Sequence, residues 1–355
     1  MMNKTKTTNI LLLIIVIPVV FYFLKVLSFI FIPLVLSMFI ALMFLPIKRW
    51  LNKHGVPKSV SVFVVILIIA SILKAGGELI QLTSKEIFTD SGLFEKMELK
   101  LVELIVIIED FFGIDRVEGE NVILHYLQKS SFFNNFSSTI EFIGDTLSMT
   151  LMTVFFTVLW LAESVNFQKL LNNTILKRKY SSVKVFMRVE NDLIKFVIVK
   201  FFISLLTGIG FTLTCLLFDV SWPIFWGLFA FLFNFIQMVG SFVSVIALSL
   251  FSLVELDPSG TLLLFVIILT AIEVLMGAVL EPVFMGKSFS INVITILIML
   301  MFWGYLWGVP GLIMSIPITV FLKIILEQFP STRIISGLIS GKDFQIIKTE
   351  EKVIK

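Results

Sequence analysis

Trp222-Pro-Ile-Phe-Trp-Gly227 opens a long apolar run to Val254, interrupted near its middle by Asn234-Phe-Ile-Gln237-Met-Val-Gly240. A second run, Ile291 to Leu326, is interrupted in the same way by Gly308-Val-Pro310-Gly311. Each is too long for a single membrane span of about 20 residues and divides naturally into two short helices. Interrupted helices persist at bilayer depth only where protein or a wet cavity satisfies the freed backbone groups. Two such segments in corresponding positions are a sequence pointer to a transport site.

Working outward, apolar residues make up 58% of the 355 positions and charged residues 15%, a balance that excludes an ordinary soluble domain. Phe occurs 38 times, mostly within apolar runs, so its rings are expected to face lipid or neighbouring helices. The near-neutral balance of 28 basic and 25 acidic residues gives no nucleic-acid signal. Cys215 is the single cysteine and is read as a buried helix residue, which excludes an intrachain disulfide. His54 and His125 are isolated, and there is neither a metal-ligand cluster nor a Gly-rich phosphate loop with lysine. No cofactor, metal or enzymatic chemistry is therefore expected.

The expected fold is an all-α polytopic membrane protein of about eight transmembrane elements. Helices are predicted over Ile10–Leu24, Val26–Leu45, Val60–Ala75, Thr146–Leu161, Phe196–Phe218 and Thr261–Leu280, in addition to the two broken elements. Only Lys25 separates the first two, so a tight hairpin and a single long element kinked near Pro18 and Pro33 are both compatible with this stretch. The chain divides into helices one to three (1–79), an acidic insertion (80–145), helix four (146–165), a basic amphipathic helix (166–195), the core carrying the broken elements (196–327) and a tail (328–355).

Basic residues set the orientation. Lys4, Lys6, Lys48, Arg49, Lys53, Lys58 and the cluster from Lys169 to Lys195 fall on one side, the cytoplasmic one by the positive-inside rule. This places the N-terminus in the cytoplasm of a bacterial inner membrane and the acidic insertion outside. Within the insertion, Leu101, Leu104, Ile105, Ile108 and Phe112 predict an amphipathic helix, with a weaker one through Val122–Leu127. Such helices fit a membrane face or a contact between copies of the chain, so a homo-oligomer is a possible assembly. On the cytoplasmic side, Val183, Phe186, Val189, Leu193 and Phe196 have helical spacing and run without a breaker into the fifth span.

Candidate site residues are the polar ones at depth. Glu273 lies near the middle of its span, where a carboxylate must face protein, water or a cation rather than lipid. Glu281 is eight residues on, about 80° around a regular helix, and precedes Pro282, which is expected to end that helix. A salt bridge to Lys287 is as good an account of Glu281 as a role in transport. Lys200, one turn inside the fifth span, either snorkels to the interface or faces a central cavity and neutralises an acidic neighbour. Asn234 and Gln237 share a face at the first break, where they either line a substrate path or bond neighbouring helices, and Gly240 permits close backbone approach. In the second element Gly308, Pro310 and Gly311 permit bending and Pro317 frees a further carbonyl.

Four motifs in series carry a family resemblance: Phe218-Asp-Val-Ser-Trp-Pro-Ile-Phe-Trp-Gly227, Asn234-Phe-Ile-Gln-Met-Val-Gly240, Glu281-Pro-Val-Phe-Met-Gly-Lys-Ser288, and Trp307-Gly-Val-Pro-Gly311 with Ile316-Pro317. Together they resemble the autoinducer-2 exporter family of bacterial membrane proteins. Gln237 stands where that family commonly has proline, and Pro310 where a non-proline residue is usual. The resemblance implies an inner-membrane permease, with members linked to export of a furanone-type quorum signal and others to exchange of sodium or lithium for protons. Three functions are thus open: export of a small polar metabolite through a cavity between the broken elements, Na⁺(Li⁺)/H⁺ antiport at Glu273, or a non-transporting scaffold. The partners implied are the lipid bilayer and a small-molecule or ion substrate.

Overall fold

In a computed structural model the chain is described over residues 4–89, 148–162, 180–236, 239–256, 260–285, 291–328 and 332–340. The two helices expected inside the acidic insertion, the basic residues 163–179, Gln237 and Lys287 lie outside the described residues. All regular structure among the described residues is helical. Five stretches, Ser28–Lys53, Lys58–Lys85, Val189–Leu217, Gly260–Met285 and Val293–Glu327, are long and apolar enough to cross a membrane. Ser148–Ala162, Pro223–Phe233 and Val239–Glu255 are shorter apolar helices.

Helices α1 (Lys4–Val26) and α2 (Ser28–Lys53) are separated only by Leu27. The helical ladder runs through this residue: its N–H donates to the Phe23 carbonyl at 2.9 Å and its carbonyl accepts from Phe31 N–H at 3.0 Å. The pair is accordingly one long element rather than a hairpin, interrupted at Leu27 instead of at Pro18 or Pro33. Helix α3 (Lys58–Thr89) continues ten residues past the boundary expected at residue 79, and α4 covers Ser148–Ala162. Lys48, fully buried in α2, donates its ammonium to the Leu161 carbonyl and so ties α2 to α4.

The organising element is α5 (Tyr180–Leu217), a 38-residue helix about 57 Å long. It contains no Pro, and the amphipathic stretch that begins it passes directly into the span, as the periodicity of Val189, Leu193 and Phe196 requires. These three side chains are buried against Met285, Ile296, Ile316 and Val320. The far half of α5, through Phe211 and Cys215, packs into a second core with Trp222, Trp226, Leu248, Phe251, Phe265 and Leu269. Trp222 and Trp226 both lie against the Phe251 ring, with centroids 5.1 and 5.0 Å away. Other rings, such as Phe63, Phe155 and Phe202, point outward, as lipid-facing residues do.

Both interrupted elements are folded back on themselves. The first consists of α6 (Pro223–Phe233) and α7 (Val239–Glu255). At 11 and 17 residues these arms are about 16 and 26 Å long, short of the roughly 30 Å hydrocarbon core. The reversal brings Gly240 onto the Phe233 carbonyl so closely that a Cβ would collide with it. Next come α8 (Gly260–Glu273), a π-helical segment (Val274–Leu280) and α9 (Glu281–Met285) in one continuous rod. The second interrupted element, α10 (Val293–Gln328), turns at Gly308, whose φ of 63° and ψ of −141° are non-helical. Gly311 sits against the Trp303 carbonyl, a proximity that a straight helix would never give residues eight apart. Finally α11 (Arg333–Ser340) packs on α10, and the Asn292 N–H donates to the Ile339 carbonyl at 2.9 Å.

Candidate functional site

The site begins with an irregularity in the rod that carries both candidate acids. Between Glu273 and Glu281 the chain is π-helical, and the Glu281 N–H donates to the Met276 carbonyl five residues back. An extra residue in one turn rotates everything after it by about 100°, which converts the 80° offset of a regular helix into roughly 20°. The two carboxylates therefore share one face of the rod, and both are buried, 7% and 5% exposed. Pro282 does not end the helix: α9 continues to Met285. The wider π turn accounts for this, because proline's missing N–H and its clash with the carbonyl four residues back are penalties of α-helical register.

Glu281 is bound to Lys200 of α5, with Nζ to Oε2 at 2.9 Å and the two side chains only 5% and 6% exposed. Of the two readings open for Lys200, the structure selects the buried one, since this side chain neutralises an acid instead of reaching for the interface. Glu273 has no such partner. Both its oxygens are buried without a hydrogen bond, as is Oε1 of Glu281. Ser241 of α7 and Lys200 are near enough to act on Glu273 electrostatically but neither meets hydrogen-bonding geometry.

These groups line a cavity of about 450 Å³ between α5, the first hairpin and the α8–α9 rod. Its polar floor is formed by Lys200, Asn234, Ser241, Glu273 and Glu281, and its walls by Phe242, Val245, Ile246 and Val274. Asn234, buried at the hairpin turn, donates its Nδ2 to the Ser204 hydroxyl of α5 at 3.1 Å. It thus bonds a neighbouring helix while also facing the cavity. Gly277 and Ala278 leave the rod without bulk on this side and widen the space.

Four of the sequence candidates, Lys200, Asn234, Glu273 and Glu281, are therefore brought together. Gly240 stands at the start of the returning arm of the same hairpin. Gly308, Pro310, Gly311 and Pro317 are not at this cavity, so it does not lie between the two interrupted elements as the sequence reading had it. The reason is packing: the tip of the second hairpin is filled by Trp303 and Trp307, which are buried with Phe39, Leu306, Met314 and Ile318. Trp307 Nε1 donates to the Leu24 carbonyl at 3.0 Å, and Lys25 Nζ sits 3.9 Å from the Tyr305 ring centre, so the tip is clamped to the α1–α2 junction. Sequence reasoning missed Ser204, Ser241 and the small residues Gly277 and Ala278. Their only signal is that they are small or hydroxylated residues within otherwise large apolar runs. No group of His, Cys, Asp or Glu among the described residues is arranged to hold a metal ion.

Comparison with known proteins agrees with this architecture. The chain is 26% identical over 324 residues to a Borreliella burgdorferi protein named for transport, covering 90% of this chain and 87% of that one. It is 24% identical over 326 residues to the AI-2 transport protein TqsA of Escherichia coli K12, covering 88% and 89%. A further relative named for transport is YrrI of Bacillus subtilis, at 23% identity over 86% and 88% of the two chains. With a family model matched over residues 11–331 and, among the described residues, four other helices long and apolar enough to cross a membrane beside the two folded-back apolar elements, the chain belongs to the AI-2E family of transporters, multi-pass membrane proteins of bacteria.

Proposed function

We propose that this chain is a secondary transporter that exports a small polar metabolite, such as the AI-2 that TqsA is named for transporting, with proton movement at Glu273 as the coupling step. One observation carries this reading: a buried carboxylate without a partner, in a cavity large enough for a metabolite. A charged side chain at mid-membrane costs about 2.5–3.5 kcal/mol even on insertion scales. Lys200 offsets that cost for Glu281. Glu273 must be neutralised otherwise, by a proton or by what the cavity holds, and alternation between those two states is what coupling requires.

The volume of about 450 Å³ falls in the range of small-molecule sites, roughly 300–1,000 Å³. Asn234, Ser241 and Thr270 supply donors and acceptors for hydroxyl groups. Outward transport is part of this proposal because an inward proton gradient drives a proton antiporter's solute out. The same unpartnered oxygens support a second reading, Na⁺(Li⁺)/H⁺ antiport, in which the cation displaces the Glu273 proton.

The test is flux into proteoliposomes containing a pH-sensitive dye, comparing the wild type with Glu273→Gln. Metabolite-driven proton movement that disappears in the variant is the expected result. Proton movement driven by Na⁺ or Li⁺ and not by the furanone would replace this reading with antiport. Silence toward every solute would favour a scaffold.

A further inference from the structure

Beyond the metabolite reading, and independently of it, we propose that the cavity at Glu273 binds a monovalent lipophilic organic ammonium ion in exchange for the Glu273 proton. The charges that face this carboxylate fix what it can hold. Among the described residues, Lys200 from α5 and Glu281 from the end of the rod are the titratable groups lining the cavity beside it, while the first hairpin contributes the neutral Asn234 at its turn and Ser241 of α7. Lys200 is already engaged by Glu281 at 2.9 Å. With Glu273 ionised the site carries one uncompensated negative charge, which a proton or one monovalent cation removes.

The walls select the kind of cation. An inorganic ion that sheds its water needs a shell of oxygen ligands, and much of the lining here is Phe242, Val245, Ile246 and Val274. An ammonium carrying apolar substituents needs only the carboxylate for its charge and buries its substituents on those walls. Phe242 adds an aromatic ring to the lining, a further attraction for a cation. Access points the same way. Phe242, Ile246 and Val274, 66%, 56% and 53% exposed, form a mouth on the apolar outer face between α7 and the rod, so a lipophilic ion reaches the site from the bilayer.

The step is an exchange in which the Glu273 O–H bond breaks, the proton passes to water and the carboxylate pairs with the ammonium. No other bond changes. Because proton and ammonium compete for one carboxylate, the affinity of a permanently charged ligand falls as the medium is acidified.

Benzyltrimethylammonium, which does not itself titrate, is the probe, measured by calorimetry on the purified full-length protein in a neutral detergent. Benzyl alcohol is its uncharged counterpart. The expected result is saturable binding of the ammonium, weakening from mildly alkaline to mildly acidic solution, with benzyl alcohol at least about tenfold weaker. Glu273→Gln should lose affinity by a similar factor and lose the pH dependence. Gly277→Leu keeps the carboxylate but fills the cavity, and a Cβ at Gly277 meets nothing within 4 Å, so this variant should stay folded and fail to bind. Equal binding of benzyl alcohol, an affinity indifferent to pH, or undiminished binding by Glu273→Gln would each overturn the proposal. If Glu273→Gln does not fold, Gly277→Leu decides, and wild-type binding by it overturns the site.

Discussion

The Lys200–Glu281 pair is the residue-scale feature on which the rest of the site depends. Both ions are desolvated, so removing one leaves its partner as a buried charge with nothing to balance it, a loss of about 3–5 kcal/mol in comparable sites. Lys200→Met should be the most damaging single change, because it strands Glu281 and removes the cation nearest Glu273. The double variant Lys200→Met/Glu281→Leu deletes both charges and should recover most of that loss, as coupled neighbours do. Thermal unfolding in detergent measures this, and a double variant no more stable than Lys200→Met would mean that the two are not energetic partners. The sequence made both residues visible as charges within apolar spans. It could not pair them, because the partner lies 81 residues away in a different helix, and Lys287, six positions from Glu281, was the nearer cation along the chain. Proximity in sequence is a poor guide wherever a rod of several turns separates the candidates.

At the scale of elements, the two hairpins turn for different reasons, and glycine substitutions should separate them. Gly308 has a backbone conformation reserved almost wholly for glycine but open space where a Cβ would go. Gly308→Ala should therefore cost about 1–3 kcal/mol of stability through backbone strain and little else. Gly240 has ordinary backbone angles, yet a Cβ there runs into the Phe233 carbonyl, so Gly240→Ala must pry the arms apart and should be the worse of the two. Comparing unfolding midpoints and folded yields of the two variants checks the ranking. The π segment makes a sharper prediction. Deleting Leu275, half exposed on the outer face, removes the extra residue of the π turn, so that seven α-helical residues separate Glu273 from Glu281 and their offset stays roughly 20°. Glu281 should therefore still meet Lys200 and transport should survive the deletion, whereas Lys200→Met should abolish it in the same flux assay. The hairpins were legible because amides, glycines and proline interrupt apolar runs that are otherwise continuous. The π turn was not, since Val274–Leu280 has the composition of any lipid-facing helix, and for that reason Pro282 was misread as a terminus.

For the whole molecule, sidedness is the property that the basic residues are read to fix. Lys53 and Lys58 flank the loop between α2 and α3, and Arg49 at the end of α2 holds Glu190 near the start of α5 at 2.7 Å. Arg49, Lys53 and Lys58 are thus gathered with the first part of α5 at one end of the bundle, whereas Lys4 and Lys6 lie at the opposite end of the continuous α1–α2 element. The other end is equally well marked: the Ser221 N–H, just beyond the end of α5, donates to Glu255 at the end of α7 at 2.8 Å. Gly260, which begins α8 a few residues later, belongs to that end and is exposed, with nothing within 4 Å of a Cβ. Replacing the fully buried Cys215 by serine leaves no other thiol in the chain, and single cysteines at Lys53 and Gly260 then report the two ends separately. In intact spheroplasts a membrane-impermeant maleimide should label Gly260→Cys and spare Lys53→Cys, and in inside-out vesicles the pattern should reverse. The opposite pattern would turn the bundle over. The gradient alone sets the direction of proton-coupled exchange, so export through Glu273 would stand, and the orientation read from the basic residues would have to be abandoned.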